Sequence, residues 1–339
     1  MRGWLNVSIL ACASLMAALP ALAQDCKPLN VLISADMRAE RGLPTIPVTI
    51  GDASKKLTIN TASVFSEISQ PAIKEMNLNT LQARVRLFDN AGQSSDRYVI
   101  LPSLGIGGAK SDQVKFMMRP APGPMNPNDA ALVGVLGPDI LQNYDLDLDF
   151  AGRKMQLISP DHCDGKVVYW TAPTVAIVPM RLAQDGKAVI SVMLDGKRLD
   201  AVINTGAPNS QLNQDVAEDR FGVKFDAPDV KQVGTVGGNA NRKVYRRQFQ
   251  SLAFEGVTIA NPELVLLPDE LKDRMRNANQ PRTGSLTRND AVTTRLPDMT
   301  LGMSTLGKLH VYIAYRERKV YISEAAPVPR GPAAADPAQ

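Results

Sequence analysis

The sequence predicts an all-β protein built from two homologous lobes. Two observations carry this prediction: apolar and polar residues alternate with the period of strands, and one ordered set of segments occurs twice along the chain. At 339 residues the chain is long for a single core and suits two domains of about 100–200 residues each. We expect the lobes at residues 24–160 and 176–324, with a linker at 161–175.

Each predicted lobe begins with a β-hairpin whose second strand ends at an Asn-Thr pair. Gly51-Asp52 separates the two strands in the first lobe, and Asp195-Gly196 does so in the second. These pairs are typical of two-residue hairpin turns. The second strands continue into "LTINTASVFSEIS" around Asn60 and "AVINTGAPNSQLN" around Asn204. One asparagine could simply be a turn former, but the same residue at the same point of both lobes indicates a shared functional turn.

The correspondence between the halves continues downstream of these turns. "SLGIGG" at 103–108 matches "SLAFEG" at 251–256, and each is followed by an apolar strand ending at proline, "VKFMMRP" and "ELVLLP". Residues 133–159 and 299–323 then each read as an apolar-apolar-Gly strand, a short helix and a terminal hairpin. Four matched blocks in the same order predict an internal duplication.

The N-terminus is typical of an exported protein. Arg2 supplies a positive charge, residues 7–19 are largely apolar, and Ala21-Leu22-Ala23 is a small-x-small cleavage site, so residues 1–23 are predicted to be a signal peptide. A lipoprotein site at Cys12 is the alternative. No later apolar run approaches the roughly 18–20 residues needed to span a bilayer. We therefore expect a periplasmic or secreted protein without a membrane span.

Cysteine usage agrees with export. Cys12 leaves with the signal peptide, so Cys26 and Cys163 remain as an even pair in an oxidising compartment. We predict that they form a disulfide, which would stabilise the fold by about 2–5 kcal/mol. The alternative is two unrelated buried thiols.

Composition excludes several classes of function. The net charge of +4 is spread along the chain, without the Lys/Arg-dense runs that track nucleic acid. Only two histidines are present, His162 and His310, so neither a Ser-His-Asp triad nor a multi-histidine metal site is easily built. Asp145, Asp147 and Asp149 alternate with apolar residues and are interpreted as the wet face of a strand rather than a metal cluster. We expect no metal and no cofactor.

Two segments fall outside the repeat. Residues 270–297 are rich in Arg, Asn and Thr and are predicted to form a surface loop of the second lobe. Residues 325–339 are rich in Pro and Ala and are predicted to be a disordered tail.

The two lobes together resemble the pepsin and retroviral-type aspartic peptidases, and most closely the bacterial, exported, two-lobed relatives of the retroviral enzymes. The likeness rests on an apolar strand into X-Thr-Gly or X-Thr-Ala and a later apolar-apolar-Gly strand in each half; "GVLGPDILQNYDLDLDFAGRKMQLI" is the most family-like segment. It implies pepsin-like β-barrel lobes related by a pseudo-twofold axis, with a substrate cleft between them. In that family each lobe supplies one aspartate, and Asn60 and Asn204 occupy those two positions here.

Other turn residues follow the family more closely. Thr61 and Thr205 match the family's threonine, which resembles a brace across the lobe interface, and Gly206 matches its glycine. Ala62 departs from the usual glycine and would slightly crowd the first turn.

The resemblance also implies mobile hairpins over the cleft. The best-placed segments are residues 85–99, with Asn90 and Gly92 near the tip, and residues 233–245, with Gly237 and Gly238. Glycine and asparagine suit flexible tips.

The two asparagines decide which function is expected. Two carboxylates about 3 Å apart share a proton and act as base and acid, whereas an amide has no titratable proton near neutral pH. The first hypothesis is therefore a catalytically silent protein that binds an extended peptide or protein segment in the cleft. A working endopeptidase would need a carboxylate from Asp139 or Asp200, or deamidation of both asparagines. A non-peptidase module binding an envelope component is the third reading. A monomer suffices for all three.

Overall fold

The computed structural model describes residues 26–88, 93–123, 125–183, 185–268 and 297–325. The predicted signal peptide, the insertion up to residue 296, the tail beyond residue 325, and the hairpin-tip residues Asn90 and Gly92 lie outside the described residues.

The described chain is mostly β, as predicted, with a few short helices. The elements of the first half are β1 (Val31–Asp36), β2 (Arg38–Glu40), β3 (Leu43–Ile50), β4 (Ala53–Ile59), β5 (Glu67–Ile68), α1 (Gln70–Glu75), β6 (Thr80–Phe88), β7 (Ser94–Ile106), β8 (Ala109–Met118), β9 (Leu132–Leu136), α2 (Pro138–Leu141), β10 (Asp145–Asp149) and β11 (Lys154–Ile158).

The second half repeats this order of elements. It contains β12 (Ala176–Leu182), β13 (Ala188–Leu194), β14 (Lys197–Ile203), β15 (Gln211–Asn213), α3 (Gln214–Phe221), β16 (Val230–Thr235), a 3-10 turn (Val236–Gly238), β17 (Lys243–Gln248), β18 (Ser251–Phe254), β19 (Val257–Ala260), β20 (Glu263–Leu267), β21 (Met299–Leu301), α4 (Met303–Leu306), β22 (Leu309–Ala314) and β23 (Lys319–Glu324).

The strands form two lobes and a sheet that joins them. The first lobe is a sheet in the order β2-β3-β4-β9-β5-β8-β7-β6, with β3 also pairing β7. The second lobe contains β13 to β21, in the order β13-β14-β21-β15-β20-β17-β16, with β18 and β19 alongside β13. The interlobe sheet has the order β1-β11-β10-β22-β23-β12, so the last hairpins of the two halves lie side by side. Strand β12 continues from this sheet into the second lobe.

The predicted opening hairpins are present in both lobes. Strands β3 and β4 are joined by Gly51-Asp52, and β13 and β14 by Asp195-Gly196. Gly51, Asp195 and Gly196 have positive φ angles of 58°, 44° and 71°. Two-residue turns need such angles, and Gly and Asp tolerate them better than most residues.

The pairing inside the two lobes is equivalent, strand by strand. Strand β4 runs parallel to β9, and β14 runs parallel to β21. Strand β5 pairs antiparallel with β9 and parallel with β8, and β15 pairs antiparallel with β21 and parallel with β20. The last residues of β4 and β14, Ile59 and Ile203, thus lie opposite Leu136 and Leu301. This shared pairing places the two Asn-Thr turns at equivalent points of the lobes.

The interpretation of the three aspartates as a wet strand face is wrong for two of them. Asp145 is 0% exposed and Asp147 is 2% exposed, whereas Asp149 is half-buried. His162 Nε2 lies 2.6 Å from Asp145 Oδ2, and His310 Nε2 lies 2.6 Å from Asp147 Oδ1. Both histidines of the chain therefore serve structural ion pairs or hydrogen bonds in the interlobe sheet.

The linker between the lobes is the reason for this burial. It crosses the interlobe sheet and carries His162, Tyr169 and Trp170 onto the aspartate face. Trp170 stacks on His310 with ring centroids 4.1 Å apart, and Tyr169 donates a hydrogen bond to Asp147. Burial raises the pKa of Asp145, and the hydrogen bond and charge of His162 oppose that shift. A strand pattern alone does not reveal that another segment covers its polar face.

The predicted disulfide between Cys26 and Cys163 is present. It links residues 137 positions apart and lies next to His162, so it ties the start of the described chain to the linker. Within the described residues, no helix is long and apolar enough to cross a membrane.

The buried pair predicts a large effect of removing one partner. Asp145→Ala would leave His162, the Tyr312 hydroxyl and the Tyr315 N–H without their shared acceptor. We expect a loss of about 3–5 kcal/mol in the free energy of unfolding, measured by urea denaturation. The matched control is Asp36→Ala, which removes an exposed ion pair with Lys154 and should cost less than about 1 kcal/mol. Equal losses in the two variants would contradict a structural role for the pair.

Candidate functional site

The two Asn-Thr turns meet across the lobe boundary and are held together by their threonines. Thr61 Oγ1 donates to the Ile203 carbonyl at 2.7 Å, and Thr205 Oγ1 donates to the Ile59 carbonyl at 2.7 Å. Each hydroxyl also accepts from the backbone N–H of the opposite threonine, at 3.1 and 3.2 Å. Both threonines are buried. The four hydrogen bonds fix the two turns relative to each other.

Within each lobe, the Asn-Thr turn is fixed by the neighbouring strand, β9 or β21, which is followed by a glycine. The Asn60 N–H donates to the Leu136 carbonyl at 3.0 Å, and the Asn204 N–H donates to the Leu301 carbonyl at 2.9 Å. The next residue along is a glycine in both lobes. A Cβ at Gly137 or Gly302 would overlap with backbone atoms of the loop that follows the turn. The apolar-apolar-Gly pattern of the sequence therefore reflects a close backbone approach behind each asparagine.

Both asparagine side chains have the same orientation. Asn60 Oδ1 accepts from the Ala62 N–H at 2.9 Å, and Asn204 Oδ1 accepts from the Gly206 N–H at 2.9 Å. The amide oxygens are thus committed to their own turns, and the Nδ2 groups face elsewhere. A Cβ at Gly206 would overlap with the Asn60 amide, so the first lobe's asparagine lies directly against the second lobe's turn.

A pocket of about 200 Å³ begins beside Asn204. Its lining combines a first-lobe residue, Ala62, with second-lobe strand residues and one cation. The residues that give it polar character are Lys187, Asn204, Gln211, Asn213 and Thr300. Ala62 contributes its methyl group to the wall of this pocket and so shapes the space next to Asn204.

Sequence reasoning missed Lys187, Gln211, Asn213 and Thr300. A signal for Thr300 was available: it lies two residues before Gly302, so strand alternation places the two on one face. Gln211 pairs directly with Thr300. A signal for Lys187 was also available: the register that the Asp195-Gly196 turn sets between β13 and β14 pairs Val189 with Val202, and continuing it by two residues brings Lys187 opposite Asn204.

The equivalent position of the first lobe is charged. Glu67 lies opposite Val135, as Gln211 lies opposite Thr300, and its Oε2 is 3.5 Å from Arg119 Nε. Burial raises the pKa of Glu67, and the Arg119 guanidinium partly offsets that effect. The two sides of the boundary therefore differ chemically although their strands match.

The alternative carboxylates have other partners. Asp139 Oδ1 accepts from both the N–H and the hydroxyl of Ser66, each at 2.7 Å. In the second lobe Ser304 Oγ accepts from the Ser210 N–H at 2.9 Å, which is the same brace made with a hydroxyl. Burial raises the pKa of Asp139, and its hydrogen bonds oppose the shift. Asp200 Oδ2 lies 2.9 Å from Arg181 in a half-exposed ion pair.

The predicted second hairpin is present between β16 and β17. Gly237 and Gly238 lie at its tip with φ angles of 60° and 73°, which non-glycine residues rarely adopt. Strands β6 and β7 form the first-lobe hairpin, whose tip is outside the described residues.

The threonine brace can be tested by removing one hydroxyl. Thr205→Val keeps the side-chain shape but leaves the Thr61 N–H and the Ile59 carbonyl unpaired in a buried site. We expect a cost of about 1–3 kcal/mol for each unpaired group, measured by chemical denaturation. Thr205→Ser keeps the hydroxyl and should lose only about 0.8 kcal/mol for the missing methyl group. A serine variant as unstable as the valine variant would show that packing, and not the hydrogen bonds, matters here.

Comparison with known proteins supports a likeness to aspartic peptidases in the second lobe. A family model described as aspartyl protease matches residues 190–305, about a third of the chain. No curated protein sequence matches. Among solved structures, basic 7S globulin from soybean is 12% identical with a TM-score of 0.48, covering 88% of this chain and 96% of that chain. A retropepsin-like aspartic protease from Rickettsia conorii is 16% identical with a TM-score of 0.30, covering 46% of this chain and 96% of that chain. The residues that the family model matches include the Asn204 turn and strand β21 with Gly302 after it.

Proposed function

We propose that this protein is an exported, aspartic-peptidase-like protein that binds an extended peptide or protein segment between its lobes without hydrolysing it. Asn60 and Asn204 stand at the positions where such enzymes carry their two aspartates. The observation that carries the proposal is the state of this pair: both side chains are amides, and both amide oxygens accept hydrogen bonds from their own turns.

An amide pair cannot perform the acid-base step. Hydrolysis needs one group to take a proton from water and another to give one to the peptide carbonyl. Asparagine offers a carbonyl oxygen and an NH2 group, and neither titrates near neutral pH. General acid-base catalysis contributes roughly 10²–10⁴ in rate, so losing both partners leaves little activity.

The remaining carboxylates do not replace the pair. Asp139 accepts hydrogen bonds from the N–H and the hydroxyl of Ser66 and thereby stabilises the loop that follows the Asn60 turn. Asp200 lies on β14, four residues before Asn204, and forms an ion pair with Arg181. Deamidation is disfavoured because threonine follows each asparagine, and a small glycine there would ease the ring closure.

The same architecture supports strand-like binding. Strand β6 ends the first-lobe sheet and β16 ends the second-lobe sheet, so within the described residues each has one edge without a neighbouring strand. An extended ligand binds such edges through main-chain hydrogen bonds, which need no catalytic pair. We propose that the two predicted hairpins, residues 85–99 and 233–245, close over the bound segment, and that side chains of the segment enter the pocket beside Asn204.

Export and duplication complete the proposal. The disulfide suits an oxidising compartment, so we place the protein in the periplasm or outside the cell after removal of residues 1–23. The equivalent strand pairing of the lobes supports an origin by duplication of one unit, with domains at 24–160 and 176–324.

The first test is direct. We expect the purified chain, incubated with an unfolded protein from roughly pH 3 to pH 8, to give no cleavage that a transition-state-mimicking inhibitor of aspartic peptidases suppresses. Products are followed by mass spectrometry. Inhibitor-sensitive cleavage at any pH would refute the proposal that the protein does not hydrolyse its ligand, and it would favour a working endopeptidase.

The second test restores the acids. The double variant Asn60→Asp with Asn204→Asp should gain inhibitor-sensitive cleavage of an unfolded protein, on the order of 10²–10⁴ above the unmodified chain. The threonine brace and both glycine strands already hold the turns. The control, Asn128→Asp with Asn261→Asp, makes the same charge change at two exposed positions and should remain inert. A folded but inactive restored variant would refute the assignment of these positions to the catalytic pair.

A further inference from the structure

We propose that the interlobe site selects an acidic group of the bound segment, a carboxylate held by the amide NH2 groups of Asn60 and Asn204 and by the ammonium of Lys187. This inference rests on the proposed function, because it names the chemistry of a segment bound at the same site. The carboxylate comes either from a Glu or Asp side chain or from the C-terminus of the segment.

The first step concerns which atoms the asparagines offer. Each Oδ1 accepts the N–H of the residue two positions later. A reversed amide would set an NH2 donor against an N–H donor, so these bonds fix the orientation. The groups left for a ligand are the two Nδ2 atoms with their N–H bonds, and within the described residues neither has a hydrogen-bond acceptor.

The second step concerns where these donors meet. The Asn60 amide lies against Gly206 of the second lobe, close enough that a Cβ there would overlap it. Asn204 lines the pocket together with Ala62 from the Asn60 turn. Asn204 therefore lines the pocket itself, and the Asn60 amide lies against the turn that contains Asn204. A pair of aspartates presents acceptors and one shared proton, whereas this pair presents donors, so its preferred ligand atom is an acceptor.

The third step concerns charge. Lys187 lines the same pocket, and its Nζ lies 2.7 Å from Asp185 Oδ2, with side chains 30% and 40% exposed. An ammonium has three N–H bonds, so that pair leaves donors for a ligand. The described lining of the pocket contains no carboxylate. An ionised aspartate at position 60 or 204 would repel an acidic group, and the amides remove that repulsion.

The test uses three fluorescein-labelled peptides of about nine Val, Thr and Ala residues, which favour an extended backbone. One carries a central Glu and an amidated C-terminus. Its twin carries Gln at the same place, and the third has the central Gln with a free C-terminal carboxylate. Affinities for the full chain are measured by fluorescence anisotropy at neutral pH and low salt.

We expect the Glu peptide, the free-carboxylate peptide or both to bind at least about tenfold more tightly than the amidated Gln peptide. Which of the two is preferred identifies the source of the carboxylate. Equal affinity of all three overturns the acidic selectivity while leaving peptide binding intact. Failure of every peptide to bind overturns the proposed binding function itself.

Variants assign the selectivity to its groups. Lys187→Met keeps the apolar stem and removes the charge, and we expect it to reduce the preference for the acidic peptide several-fold. Lys154→Met, at an exposed ion pair of the interlobe sheet, is the control and should leave all affinities unchanged. Asn204→Asp should reverse the preference, so that Gln binds more tightly than Glu. An equal loss for all three peptides in Lys187→Met would overturn the role of its charge.

Discussion

The hydrogen bonds between Thr61 and Thr205 are the interaction on which the site depends. They join the turns of the two lobes, because each hydroxyl donates to a carbonyl of the other lobe and accepts from the N–H of the other threonine. Their burial shields them from competition with water. The spacing of the two asparagine amides, the wall that Ala62 contributes to the second-lobe pocket, and the need for glycine at position 206 all follow from this contact.

A second connection lies in the interlobe sheet, where β10 pairs with β22. The linker covers this sheet and buries Asp145 and Asp147 against the two histidines of the chain. Burying such pairs costs desolvation, which offsets part of the stabilisation from their attraction. The disulfide at Cys163 adjoins the same cluster. The lobes are therefore held by a polar brace at the site and by a covered sheet behind it.

The chemistry that we propose for the site follows from asparagines at equivalent points of the two lobes. An aspartate pair shares a proton and holds water, whereas the asparagine pair turns both oxygens toward its own backbone and leaves NH2 groups outward. Compared with two close carboxylates, two amides have no charge conflict and offer donors in place of acceptors. This difference is the reason that we propose a ligand with an acceptor at this site.

The sequence by itself determined the all-β class, the two opening hairpins, the equivalent positions of Asn60 and Asn204 and the disulfide. Strand alternation and turn residues are local signals, and the repeat is visible when the two halves of the sequence are compared. It misplaced Asp145 and Asp147, since alternation reports that two faces differ and not what covers the polar one. We did not single out Lys187 from the sequence, although the predicted register of the second opening hairpin carries it opposite Asn204. Only the tertiary structure decided which residues surround the amides, because contacts between distant segments depend on how the sheets pack and not on any local pattern.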